Sequence, residues 1–151
     1  MALAISTITA SISALSIPGV RILDLDKIPV ALTARDTPCL FPEPVGFVSN
    51  FSAEHNTFDS GAGAPKTVEY DMTYTFVYAP LGGDRAFSFK AYADMVEQAF
   101  KVWDAILAND AITGAVDFQP KNNLYFGLVA DPSGNKYHGC QFVFHVKEFV
   151  N

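Results

Sequence analysis

The 151-residue sequence predicts an α+β domain: a mostly antiparallel sheet of about four strands, with two main helices packed on one face. Three observations carry this. Val68, Tyr70, Met72, Tyr74, Phe76 and Tyr78 alternate with Glu69, Asp71, Thr73, Thr75, Val77 and Ala79, the period of a long strand with one apolar face. Tyr92, Val96, Ala99, Phe100, Trp103 and Leu107 recur at 3–4 spacing, with Asp94, Glu97, Lys101 and Asp104 largely away from them, which is helical. Half of the residues are apolar and 17% are charged, enough for one core at single-domain length. Thirteen Phe, six Tyr and one Trp favour β-rich packing. Residues 1–151 read as one domain, without an internal repeat.

The first element is an amphipathic helix. Ile5, Ile8, Ile12 and Leu15 follow i, i+3, i+7, i+10 spacing, hydroxyl residues cover the other side, and Pro18-Gly19 stops it. The first basic residue is Arg21, so this stretch lacks the positive region of a signal peptide, and its hydroxyls break any membrane span. Val20 to Leu25 reads as a short strand. Pro29, Pro38, Pro42 and Pro44 rule out a continuous central strand there, leaving Cys39-Leu40-Phe41 and Val45 to Val48 as pieces of an edge or bulged strand. Residues 49–66 show no periodicity and read as a long loop, which in a compact domain is usually functional.

The long strand from Thr67 ends at Pro80-Leu81-Gly82-Gly83. Ser88 caps the next helix, Phe87 and Tyr92 staple its start, and Asn109 suits its end. Residues 110–123 read as a polar connection. Leu124 to Ala130 is a strand, residues 131–135 a turn, and Tyr137 to Phe149 the last strand. Cys140, Phe142, Phe144 and Val146 share one of its faces, while Gln141, Val143, His145 and Lys147 share the other.

A net charge of −6 argues against general nucleic-acid binding. His138 and His145 differ in strand parity and cannot share a metal ion. Gly61 to Thr67 lacks the glycine spacing of a phosphate loop. Cys140 near His138 reads as a structural thiol. Cys39 and Cys140 are expected to be free in a reducing compartment, pairing only if their strands are neighbours. Asp24 and Asp26 read as a solvated loop. No catalytic residue, metal ligand or cofactor site is assigned, and the chain is expected not to be an enzyme. Phe47, Phe51 and Phe58, in or beside the 49–66 loop, fit two uses: a lid on the core, or docking on a neighbouring subunit. The 80–87 loop, with Leu81 and Arg85, is a second candidate patch.

The order of elements resembles a known family. A helix ending in Pro18-Gly19-Val20 is followed by Ile28-Pro29 and Thr37-Pro38-Cys39-Leu40-Phe41-Pro42-Glu43-Pro44. The chain closes on Tyr137-His-Gly-Cys-Gln-Phe-Val-Phe-His-Val-Lys-Glu148. This pattern is similar to that of phage tail terminator proteins, the tail-to-head joining or minor tail proteins of long-tailed phages. The resemblance implies a hexameric ring on the head-proximal end of the tail tube, assembled in the host cytoplasm and carried in the virion tail or neck. The ring would contact the tail tube protein below and a head-completion or connector protein above. Genomic DNA would pass through its lumen without specific binding, and no membrane is involved. Another neck or head-completion subunit, or a small-ligand-binding or hydrolytic α+β domain, is the alternative expectation.

Overall fold

The computed structural model describes residues 3–44, 46–55, 65–80, 89–109, 112, 116–121 and 124–150. The elements run α1 (Ile5–Ser13), β1 (Arg21–Ile22), β2 (Cys39–Pro42), β3 (Val48–His55), β4 (Lys66–Pro80), α2 (Phe89–Leu107), β5 (Asp117–Pro120), β6 (Tyr125–Ala130) and β7 (Lys136–Val150). Two 3-10 turns, Leu25–Lys27 and Ala34–Asp36, lie between β1 and β2.

The two strongest alternations fold as expected. β4 and β7 are each 15 residues long and pair antiparallel along almost their whole length. Among the described residues no other strand matches that length, and a strand's backbone donors and acceptors need partners wherever they are buried. Each outer side of this central pair therefore takes two short strands. β3 lines β4 along 66–72 and β2 lines it along 74–77. On the far side, β6 lines β7 along 136–141 and β5 lines it along 144–147.

Among the described residues the sheet thus has seven strands, not about four, and it is mixed rather than antiparallel throughout, because β1 runs parallel to β2. The Leu23–Pro38 connection is long enough for the crossover that a parallel pair requires. The α+β class stands.

Three local expectations change as well. Residues 48–55, the start of the expected 49–66 loop, form β3. Asp117–Pro120, inside the expected polar connection, form β5. The 39–41 piece is not an edge, since β1 lies outside it. The proposed cap and staple at Ser88 and Phe87 fall outside the described residues.

Side chains of even number on β4 and β7 face the helices. Tyr70, Met72, Tyr74, Phe76, Phe142, Phe144 and Val146 are buried there, against Ile8 and Ile12 of α1 and Met95, Ala99, Val102 and Ile106 of α2. Both helices thus share one face of the sheet. α2 has the expected period but a different phase. Its buried line is Met95-Ala99-Val102-Ile106, whereas Tyr92 and Phe100 of the expected stripe are 44% and 49% exposed. α1 ends at Ser13, ahead of Pro18, and Thr9 on its buried side bonds back to the Ile5 and Ser6 carbonyls at 3.0 Å.

The opposite face carries a smaller core at one end. There the β1–β2 connection lays Leu23 and Leu32 over Cys39, Phe41, Val77, Val129 and Tyr137. Cys39 and Cys140 belong to different cores, and β4 lies between their strands, so the thiols are free and buried. Burial pushes both thiols up to about 12.

Candidate assembly surface

Of the five interface candidates, Phe47 and Phe51 lie among the described residues. Phe47 is half-buried, with its ring edge-on to Tyr74 at 5.7 Å between centroids, so it serves the core. Phe51 is 53% exposed. Phe58, Leu81 and Arg85 lie outside the described residues, as do the middle of the 49–66 segment and the 81–88 segment.

Phe51 stands on β3, whose strand partner among the described residues is β4 alone. Ser49 pairs with Asp71 and Ser52 with Glu69, so Asn50 and Phe51 together oppose Tyr70, a β-bulge. Asn50 takes the left-handed conformation, φ 53°, that asparagine tolerates better than most residues. Its side chain reaches Asp71, and Phe51 stacks on Tyr70 at 5.9 Å. Every β3 residue from Asn50 to His55 is exposed.

The β6 edge is the counterpart across the sheet. Tyr125 and Leu128 are 67% and 61% exposed. Phe100 of α2 packs edge-on against Phe126 at 6.3 Å and keeps about half its surface in water. On the helix side of β6 runs a groove of about 520 Å³ lined by Phe100, Trp103, Pro120, Lys121, Leu124 and Phe126. Beside β6 lies a second groove of about 300 Å³, lined in part by Glu43, Lys136 and Gln141. Sequence reasoning missed this edge. The available signal was α2 itself, whose two adjoining apolar stripes, Met95-Ala99-Val102-Ile106 and Tyr92-Val96-Phe100-Trp103, are more than one sheet face covers.

The sheet face away from the helices holds a knot of charge. The Asp71 side chain, 3% exposed, accepts bonds from Lys121 Nζ at 2.6 Å and Asn50 Nδ2 at 2.7 Å, and meets His145 Nδ1 at 2.9 Å. Burial alone would raise this carboxyl, but the bonds from Lys121, Asn50 and His145 outweigh it and hold the group below its ordinary value. The Asp–His couple is therefore part of a structural tie between β3, β4, β7 and the end of β5. Among the described residues, no hydroxyl or thiol bonds to the Asp71 carboxyl. His138 sits seven residues along β7 from His145, about 23 Å for extended chain. No group of three or more metal-binding side chains occurs among the described residues.

The knot has a pH signature. A carboxyl lower in the folded than in the unfolded chain adds stability at pH values above its unfolded value. That contribution is lost as pH falls through the folded value. Lys121→Met is expected to raise the Asp71 carboxyl and shift acid unfolding to higher pH. Because Lys121 is half exposed, its loss should cost only about 1 kcal/mol at neutral pH. Urea unfolding across an acid series checks this, and an unmoved acid midpoint would mean that the two groups are uncoupled.

The residues that carried the family resemblance hold the fold together. Glu148 accepts the Ala4 backbone N–H at 3.0 Å and the Tyr70 hydroxyl at 2.7 Å, tying the start of α1 to the sheet. Glu43 accepts bonds from the Thr75 hydroxyl and from Gln141. The Tyr137 hydroxyl donates to the Leu32 carbonyl at 2.7 Å, anchoring the connection over the second core. No protein-family model matches the sequence, and no curated protein matches it.

Proposed function

We propose that this chain is a structural virion subunit that closes as a ring on the head-proximal end of a phage tail tube and ends tube growth. In the assembled particle it offers the head connector its docking surface. It performs no catalysis in this role. The observation that carries the reading is the aromatic surface left uncovered along α2 and β6, with Phe51 exposed at the other end of the same sheet. A monomer gains little by wetting Phe100, Leu128 and Phe51, whereas a ring uses two unlike patches on each subunit. The family resemblance of the opening and closing segments adds to it.

Termination is then a matter of unlike faces. One face of the ring matches the last tube ring, and the other offers no tube-like surface, so mismatch stops addition as much as affinity starts it. A net charge of −6 per chain keeps passing DNA from adhering to the lumen.

Native mass measurement on the concentrated chain tests the reading. The expected species has six times the mass of one chain. A monomer at every concentration that holds or turns over a small molecule would replace the proposal with the ligand-binding or hydrolytic alternative. A ring that binds the connector but not the tube would make it a head-completion subunit instead.

A further inference from the structure

We infer that Asn50, pinned to Asp71, is a register lock that decides which side of the sheet Phe51 faces. Its consequence for assembly rests on the ring reading above; the lock itself does not. β3 meets β4 in two phases. At its start Val48 faces Met72 and Ser49 faces Asp71, and beyond the bulge Ser52 faces Glu69, Ala53 faces Val68 and Glu54 faces Thr67. The two stretches differ by one residue, the one that the bulge absorbs. Had the first phase continued, Phe51 would face Glu69, Ser52 would face Val68 and Ala53 would face Thr67. Side chains alternate between faces, so that slip turns every later β3 side chain over.

The two registers present different surfaces. In the observed one Phe51 lies on the helix side, stacked on Tyr70 at 5.9 Å with about half its surface in water, while Ser52 and Glu54 share the polar side with Glu69 and Thr67. In the slipped one Phe51 would sit beside Glu69 and Lys147, which meet at 3.5 Å, and Glu54 would turn to the helix side. Burial does little to choose between them, since every β3 residue from Asn50 onward is exposed.

Asn50 makes the choice. Its φ of 53° is the left-handed conformation that takes up the extra residue, one that asparagine tolerates and β-branched residues resist. There its Nδ2 donates to Asp71 Oδ2 at 2.7 Å. Asp71 is 3% exposed and is itself fixed by Lys121 Nζ at 2.6 Å and His145 Nδ1 at 2.9 Å, so the acceptor is a held anion and the bond is charge-assisted. In the slipped register Asn50 would face Tyr70, on the other side of the sheet from Asp71, and the bond could not form. The pin exists in one register only. In the ring, Asn50 and Asp71 are positioning residues: they act through Phe51, by holding its ring on the helix side.

A short bifunctional thiol reagent reads the register in the full chain. Ser52→Cys and Glu69→Cys lie opposite each other on one face in the observed register only, and Ala53→Cys and Thr67→Cys in the slipped register only. The native thiols are buried and stay silent. With Asn50 in place, the first pair should link within one chain and the second should not. Asn50→Val should exchange the two results and abolish the ring by native mass. Asn50→Asp, which tolerates the left-handed region but sets two carboxylates together, should shift linking the same way, so failure of Asn50→Val to fold does not spare the proposal. Deleting Asn50 removes the extra residue and leaves Phe51 opposite Tyr70. The first pair should then link again and the ring return, a rescue that a merely stabilising contact would not give. Persistent linking of the first pair in both substituted chains would overturn the lock. Exchanged links with the ring intact would overturn the positioning role. Exchanged links in a chain that is monomeric even with Asn50 in place would overturn the ring reading and leave the lock standing.

Discussion

Phe144→Ala should cost about 3–5 kcal/mol, the range for emptying an aromatic site in a packed core. Phe144 is fully buried at the centre of an aromatic group: Phe118 stacks on it at 4.7 Å, Trp103 lies at 5.9 Å and Phe142 at 6.3 Å. These neighbours come from β5, α2 and β7, so the hole cannot be closed by shifting one element. For a chain of this size the loss lowers the melting temperature by about 10 °C. Trp103 is the only tryptophan, and its emission reports the melt directly. Phe149, five positions along the same strand but 74% exposed, is the control, and Phe149→Ala should change stability by no more than about 0.5 kcal/mol. Equal melting of the two variants would contradict the assignment of faces on β7.

The same strand shows what the sequence made legible. β4 and β7 were readable because each has one face on the helices, which forces apolar residues to alternate over many positions. β3 was not, because all of its residues from Asn50 onward are exposed, so burial imposes no alternation, and the strand is held by backbone pairing with β4 and by the Asn50 and Phe51 contacts. β5 escaped for a related reason: of its four residues only Phe118 is buried. The phase of α2 was misread toward its largest side chains. The helix buries the smaller Met95-Ala99-Val102-Ile106 line and leaves Tyr92 and Phe100 at its margin. Area would favour burying the aromatics, but the sheet beneath is already filled by Tyr70, Tyr74, Phe142 and Phe144.

The candidate surface was legible only in part. Phe51 stood out as an aromatic in a polar stretch. The β6 patch is built from Phe100 and Phe126, which are distant in sequence, and depends on the α2 phase, so no local signal marks it. The Asp71 knot was hidden in the same way. Alternation put Asp71 on the polar face, but its burial comes from Asn50, Lys121 and His145, which only the folded sheet assembles.

Gly139→Ala should be the most damaging alanine substitution at any glycine among the described residues. A Cβ at this position would stand 2.0 Å from the Phe76 carbonyl oxygen and 2.8 Å from a Val129 methyl. The first obstacle is backbone, inside the longest ladder of the sheet and next to the irregular register at Val77 and Ala79. It cannot rotate aside, so β4 and β7 would have to separate where they hold both cores together. Overpacking of a core costs about 1–3 kcal/mol when side chains can yield. With a carbonyl in the way the cost should exceed that range and lower the melting temperature by more than about 10 °C. Thermal unfolding followed by circular dichroism decides it, and a melt within about 2 °C of the parent would mean that the close approach is not real. The glycine belongs to the closing Tyr137-His-Gly motif, which carried the family resemblance, and its role is purely steric. That motif therefore specifies how closely the two long strands approach where the two cores meet.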